Sequence, residues 1–333
     1  MKKNENGCRR LSLRQTAHFL KKHDRYIILT HASPDGDTLG AAYALYYGLK
    51  ETGKTAVVLC PDLIPEKYGY FARTTDHIER DGAVVIAVDV ADVRLLGSLA
   101  EEFGDCVDLT IDHHISNTQY AKNLYLDEKA AATCESMFEL LSCMKVNIND
   151  VTAKALYTGL VTDTGCFKYS SVTAKTHLIA AQLYDYNIDA AEINRIMFDT
   201  KSKGLLELER QVLETAEFHF DDRCMMLTVT ADMQASTGCC GPDLEGIAVI
   251  SRSVEGVLAG VTIKQTDDEQ YKVSVRTFAP LSAAEICKKL GGGGHFGAAG
   301  ATLTGSLEEI KSAILTAVGE AMENINEGIT SSR

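Results

Sequence analysis

Hydrophobic residues in the first half of the chain fall into short runs separated by longer stretches with a helical repeat. "YIILTH" (26–31), "TAVVLC" (55–60), "AVVIAVD" (83–89) and "CVDLTID" (106–112) are rich in Val and Ile and nearly uninterrupted by polar residues. A strand buried on both faces has that character, as in a parallel sheet covered by helices. Between these runs, "TLGAAYALYYGLKETG" (38–53) carries a Gly suited to stopping a helix, and "DVRLLGSLAEEFG" (92–104) predicts another. Two further helices are predicted over 128–144 and 149–165, where apolar positions recur at helical spacing. Strand and helix in alternation predict an α/β domain with a mostly parallel sheet over residues 1–187.

The pattern then changes. Residues 188–218 turn charged and helical and predict a connecting segment. From 219 to 333 the runs "CMMLTVT" (224–230), "GIAVISR" (246–252), "GVLAGVTIKQ" (256–265) and "YKVSVRTF" (271–278) predict strands. A last helix opens at Ser306, with Glu309 completing a capping box and Ile310, Ile314, Val318, Ala321 and Ile325 repeating along one side. The second half therefore reads as a smaller α+β domain, and the whole as a two-domain α/β protein.

Composition narrows the partners. A chain of 333 residues, 45% hydrophobic, can bury two cores. Its net charge of -13 argues against a long duplex nucleic acid held across a basic surface, but a small anion needs only a local positive pocket. Ten Cys without a CxxC pair offer neither a disulfide framework nor a zinc site. The opening "MKKNENGCRRLSLRQ" lacks the apolar core of a signal peptide, and no apolar stretch is long enough for a membrane span. A reduced, cytoplasmic protein with no membrane partner is expected.

Polar residues of one kind collect where the predicted strands end. His31 opens "HASPDGD", which brings Asp35 and Asp37; Asp89 closes "AVVIAVD"; Asp112, His113 and His114 close "CVDLTID"; Asp163 ends a predicted helix in "GLVTDTG". Ligands of an open α/β sheet bind outside the carboxyl ends of its strands, so three strands deliver Asp or His to one rim. Singly, each has an ordinary reading, since Asp favours turns and a lone His is often a satisfied core residue. Their joint placement predicts a metal site. Crowded carboxylates repel unless cations neutralise them, and Asp35, Asp37, Asp89 and Asp163 with two neutral imidazoles match two divalent ions. Mixed carboxylate and imidazole donors fit Mn²⁺ better than Ca²⁺ or Mg²⁺, and the missing thiolates argue against zinc. Two ions about 3.5–4 Å apart can clamp a phosphoryl group during in-line attack.

A second unusual stretch is "LGGGGHFGAAGA" (290–301), where Gly292, Gly293 and Gly294 precede His295. Successive glycines allow backbone N–H groups to converge on one anion. In "YKVSVRTF", Val273 and Val275 share a face and leave Arg276 on the other.

"HASPDGDTLG", "VDVAD", "IDHHIS" and "VTDTGCF", in that order, resemble the four motifs of DHH-family phosphoesterases, and the glycine run resembles the "GGGH" motif of the DHHA1 domain. The resemblance runs from Ile28 to the last helix and is most like the branch of oligoribonucleases that also dephosphorylate 3′-phosphoadenosine 5′-phosphate (pAp). One mild departure is "GAA" in the first motif where "GS" is frequent, which touches helix packing and no ligand. The resemblance implies that His31 and Asp35 hold one metal, that Asp37, His113 and Asp163 hold the other, and that Asp89 bridges. It implies that Asp112 orients its His neighbours and that His114 faces the substrate phosphate as a catalytic group. Arg276 and His295, with the glycine run, would bind that phosphate, in an active site lying in the cleft between the domains. A homodimer is the assembly the family implies. The expected activity is Mn²⁺-dependent hydrolysis of very short RNA to mononucleotides and of pAp to AMP. Alternatives are cleavage of cyclic or linear dinucleotides (c-di-AMP, pApA), or a pyrophosphatase-like or exopolyphosphatase-like hydrolase. A catalytically silent nucleotide-binding module would be expected to lack a metal ligand, and none is missing. Phe296 and Tyr271 are the aromatic residues considered for stacking a base.

Overall fold

The structure, a computed structural model, describes residues 7–73, 78–244 and 246–330, without the side chains of 242, 243 and 325–330. The chain divides into two compact units, Met1–Thr200 and Lys201–Arg333.

The first unit is built on strands β1 (Arg9–Arg10), β2 (Arg25–Leu29), β3 (Thr55–Leu59), β4 (Val84–Val88), β5 (Leu109–Asp112) and β6 (Asn123–Leu126). They form one sheet in the order β1-β6-β5-β4-β2-β3, parallel throughout. Its helices are α1 (Leu13–Lys22), α2 (Gly36–Glu51), α3 (Ala100–Phe103), α4 (Thr133–Met144), α5 (Asp150–Asp163), α6 (Ala174–Leu183) and α7 (Ala190–Asn194). Both faces of the sheet are covered, which is why its strands read as unbroken apolar runs. Tyr26, Ile28, Ile86 and Ile111 point into the core shared with α2, α4 and α5. Ile27, Leu29, Val85 and Ala87 point the other way, against Leu96, Phe103 and Val107. Residues 92–104, predicted as one helix, are two: a 3-10 stretch, Val93–Leu99, then α3. Gly97 kinks the 3-10 stretch itself with φ 55° and ψ -129°, a backbone state open to few residues but glycine.

Helices α2 and α5 cross at short range because glycines line the crossing. A Cβ on Gly40 would lie 2.5 Å from the Ala155 carbonyl oxygen, and one on Gly159 would lie 2.2 Å from Cys134 Sγ and 2.9 Å from Asp37 Oδ1. The crossing brings the start of α2, which carries Asp37, to the end of α5, which carries Asp163.

The second unit has strands β7 (Glu217–His219), β8 (Cys224–Val229), β9 (Ala259–Asp267), β10 (Gln270–Thr277), β11 (Gly293–His295) and β12 (Ala298–Thr304). They lie in the order β11-β12-β10-β9-β8-β7; β8 and β9 are parallel and the other pairs antiparallel. Helices α8 (Lys203–Leu213), α9 (Ala231–Thr237), α10 (Ile247–Ile250), α11 (Ala283–Lys289) and α12 (Leu307–Thr330) complete it. One sheet face, with Val261, Ile263, Val273 and Val275, buries Ile286 of α11 and Ile310, Ile314 and Val318 of α12. The capping box at Ser306 and Glu309 forms in both directions, at 2.9 and 3.3 Å. Ile325, the last predicted position of that apolar side, has its side chain outside the described residues.

One expectation is corrected. "GIAVISR" is not a strand: Ile247–Ile250 makes a single helical turn, with Ile247 and Ala248 buried and Val249 exposed. A short apolar run with no strict alternation serves either conformation, and packing decides. Residues of the stretch 188–218 are buried in both units. Ala190 and Ile193 belong to the first core, Leu208 and Val212 to a core of the second unit. Among the described residues, no helix is long and apolar enough to cross a membrane.

Candidate metal centre

Strands β2, β4 and β5 end side by side, and their last residues or the loops just beyond carry the polar groups. Asp35 is the N-cap of α2; its Oδ1 accepts the N–H groups of Asp37 and Thr38 at 2.9 and 3.0 Å. Asp89 follows β4 with φ 60°, a left-handed conformation that Asp tolerates better than most residues. Its amide still reaches across to Ile111 of β5 at 2.9 Å.

Two groups of donors gather at the two oxygens of Asp89, and a third set, Asp89, His113 and His114, also lies within reach of one ion. His31 Nε2 lies 3.7 Å from Asp35 Oδ1 and 3.8 Å from Asp89 Oδ2. His113 Nε2 lies 4.0 Å from Asp37 Oδ2, 3.5 Å from Asp163 Oδ2 and 3.8 Å from Asp89 Oδ1. These spacings are too long for hydrogen bonds. They are right for ligands of one ion, since atoms each about 2.1 Å from a metal stand about 3–4 Å apart. Asp89 turns one oxygen to each group.

The imidazoles are pre-set for this use. His31 Nδ1–H donates to the Ala32 carbonyl at 2.8 Å and His113 Nδ1–H to the Ala130 carbonyl at 3.0 Å. Each bond fixes the tautomer that leaves the Nε2 lone pair facing the carboxylates. His114 is held differently, by Nδ1–H to Asp112 Oδ1 at 2.8 Å, and its side chain is 40% exposed. Asp112 is fully buried and also accepts the backbone N–H groups of His113 and His114 and the Asn117 amide at 2.7, 3.1 and 2.6 Å. It therefore orients the His114 ring, whereas the ring of His113 is set by Ala130.

The electrostatics call for added positive charge. Burial, then Asp89, Asp163 and Asp35, push the Asp37 carboxyl well above its usual range. Burial raises Asp163 to about 7, with His113 opposing and Asp89 and Asp35 adding to the rise. Asp89 is raised by burial and by Asp35. Burial works against the charged form of His31, but Asp35 beside it and then Asp89 outweigh that and raise it to about 9. His114 likewise rises to about 9 through Asp112 and Asp89 against its burial. Asp112 stays below the carboxylate range because its hydrogen bonds with His114 and Asn117 outweigh burial. Without cations the cluster thus retains protons that bound metal would displace. Donor types, spacing and charge all fit two divalent ions held by His31, Asp35, Asp37, Asp89, His113 and Asp163.

Sequence reasoning passed over the groups behind these ligands. Thr133 gives its N–H to Asp37 Oδ2 at 2.6 Å and its hydroxyl to Asp89 Oδ1 at 2.7 Å, and Cys134 N–H reaches Asp37 Oδ1 at 2.9 Å. One signal was available. Ala132 precedes α4 where a capping side chain is usual, and Asp37 provides the missing acceptor.

In the second unit, the register aligns Arg276 of β10 with Ala298 of β12, and Ala298 with His295 of β11. Arg276 and His295 therefore occupy one face of the sheet, two strands apart over the small Ala298. The glycine run departs from the expected anion loop. Gly293 and Gly294 belong to β11, paired with β12; close approach requires glycine at Gly292 and Gly294, whereas a Cβ on Gly293 would meet nothing within 4 Å. A Cβ on Gly292 would lie 2.1 Å from the Gly300 carbonyl oxygen, and one on Gly294 2.5 Å from Ala299 Cα.

Known proteins resemble this chain. Residues 25–160 match the N-terminal domain of the DHH family and 233–324 the DHHA1 domain. The chain is 34% identical over 321 residues to the bifunctional oligoribonuclease and PAP phosphatase NrnA of Thermus thermophilus, covering 93% of this chain and 94% of that one. An exopolyphosphatase-related protein from Bacteroides fragilis has the same fold, with a TM-score of 0.84 at 23% identity over 92% of this chain and 95% of that one. RecJ of Thermus thermophilus in complex with Mn²⁺ is more distant, at a TM-score of 0.54 and 17% identity, covering 93% of this chain and 55% of that one. With both domains matched and a relative aligned over 93% of this chain and 94% of its own length, the chain belongs to the DHH family of metal-dependent phosphoesterases.

Proposed function

We propose that this protein hydrolyses RNAs of a few nucleotides to mononucleotides and removes a phosphate from pAp to give AMP, using two Mn²⁺ ions. The observation that carries the reading is Asp89, whose two oxygens face two separate ligand groups at 3.8 Å each. The substrate class comes from the relative named as an oligoribonuclease and PAP phosphatase. An acidic chain of net charge -13 also favours small substrates over long strands.

When bound, two divalent ions supply charge to the phosphoryl oxygens and a water nucleophile usable near neutral pH. The chain's own residues do the rest. His31, Asp35, Asp37, His113 and Asp163 would hold the ions, with Asp89 facing both groups of donors. His114, anchored through Nδ1 to Asp112, keeps Nε2 for the substrate and can hand a proton to the leaving oxygen there. Asp112 stabilises the imidazolium before that transfer. Arg276 and His295 contribute cationic and hydrogen-bonding groups for the phosphate, with the planar guanidinium suited to paired contacts.

A Mn²⁺-supplemented panel of pAp, a pentaribonucleotide, pApA, c-di-AMP and pyrophosphate, ranked by kcat/KM, tests the reading. We expect pAp and the pentaribonucleotide to lead; a clear preference for c-di-AMP or pyrophosphate would overturn it. Asp89→Ala should abolish turnover of every substrate, and near-normal activity in that variant would refute the shared ligand.

A further inference from the structure

Phe278 stands one residue beyond β10 and keeps its alternation: Thr277 is buried, and Phe278 turns outward with 47% of its surface in solvent. Large exposed rings are costly to leave bare, and this one is half clothed by a cation. The Arg252 guanidinium lies over the ring, 5.5 Å from its centroid. The backbone that carries Arg252 is held by close packing. A Cβ on Gly260 would come within 2.5 Å of Ser251 Oγ and 2.7 Å of the Arg252 nitrogen, so glycine lets this segment lie on the sheet. Gly260 pairs directly with Arg276. Arg252 and Phe278 thus border Arg276, two residues along the strand in one direction and one strand over in the other. Residues i and i+2 of a strand sit about 7 Å apart on one face. That separation is of the same order as phosphate to base within a nucleotide.

We propose that Phe278, backed by Arg252, is a stacking platform for the nucleobase of the nucleotide whose phosphate Arg276 and His295 bind; this rests on the function proposed above. An exposed aromatic face beside cations binds a base through stacking while the cations attract its phosphate, and it does so with little preference among bases. The two residues considered from sequence fit less well. Tyr271 is in the core at 7% exposure, and Phe296 follows His295 by one residue, out of the register that aligns His295 with Arg276.

The test uses the full-length chain with Mn²⁺. Phe278→Ala should raise the KM for pAp by at least about fivefold while kcat changes little, as loss of a base stack does. The wild-type preference for pAp over ribose 3,5-bisphosphate, its base-free analogue, should collapse in that variant, and Phe278→Trp should restore it. Arg252→Ala should move KM in the same direction by a smaller factor. An unchanged pAp KM in Phe278→Ala overturns the proposal. A second measurement does not depend on turnover. The protein contains no Trp, so Phe278→Trp introduces a lone indole. AMP should quench its fluorescence and ribose 5-phosphate should not; equal quenching by both, or none by AMP, overturns the platform. If wild-type protein hydrolyses neither pAp nor short RNA but AMP still quenches selectively, the proposed activity falls and the platform stands.

Discussion

Thr133 binds two metal-site carboxylates with one residue, its amide on Asp37 and its hydroxyl on Asp89. Valine has nearly the same shape but no hydroxyl, so Thr133→Val leaves a buried Asp89 oxygen short of a donor, at a cost of about 1–3 kcal/mol. Outer partners of metal ligands commonly change affinity by about 10–100-fold. We expect Thr133→Val to weaken Mn²⁺ binding within that range, measured by titration calorimetry, and Thr133→Ser to restore it. A wild-type Kd in the valine variant would remove Thr133 from the site. At this scale the sequence was informative wherever a residue type carries the chemistry itself: Asp and His after a strand mark a candidate ligand, and the folded chain brings these together. It was silent about Thr133, Ala130 and Asn117, which act through a backbone group or an ordinary side chain that only the folded chain brings near.

Glycine governs the spacing of elements. Gly159 of α5 packs against Cys134 and Asp37, so the distance between α2 and α5 also sets the spacing of Asp37 and Asp163 within one group of donors. Gly159→Ala must displace the Asp37 carboxylate or spread the helices. We expect a loss of about 1–3 kcal/mol of stability from overpacking, with weaker Mn²⁺ binding alongside. Thermal unfolding with and without Mn²⁺ checks both; an unchanged Tm would mean that the crossing relaxes freely. Elements with a strong apolar repeat were legible, including β2, β4 and the capped start of α12. Short ones were not. Residues 246–252 and the strands β1, β7 and β11 are too brief for periodicity to specify, and partners distant in sequence determine them.

For the molecule as a whole, protons and metal compete. Asp37, Asp89 and Asp163 have folded values above those of an unfolded chain, so their contribution favours folding in acid and is lost as pH rises through the folded values, for Asp163 near 7. His31 and His114 are raised also; their contribution is complete below about 6.5 and disappears as pH rises through about 9. All five act in one direction. Chelator-treated protein should therefore lose stability at this site between pH 6 and pH 8, and the increase in Tm on adding Mn²⁺ should be larger at pH 8. Differential scanning fluorimetry at both values, with and without EDTA, measures this. An equal Mn²⁺ increment at both values would show that no proton is displaced. The two-domain plan was readable in advance, because strand and helix alternate in one half and strands gather in the other. The division of residues 188–218 between two cores was not, since amphipathic helices do not reveal which core they join.

Asp37 closes the open end of α4 in place of a residue at 132 that cannot. Evolutionary drift at this ligand would leave a helix terminus unsatisfied as well as a metal unbound. Descendants that abandoned catalysis would then face selection to keep an aspartate they no longer needed for chemistry, and its persistence in a lineage would be weak testimony that the enzyme is still alive.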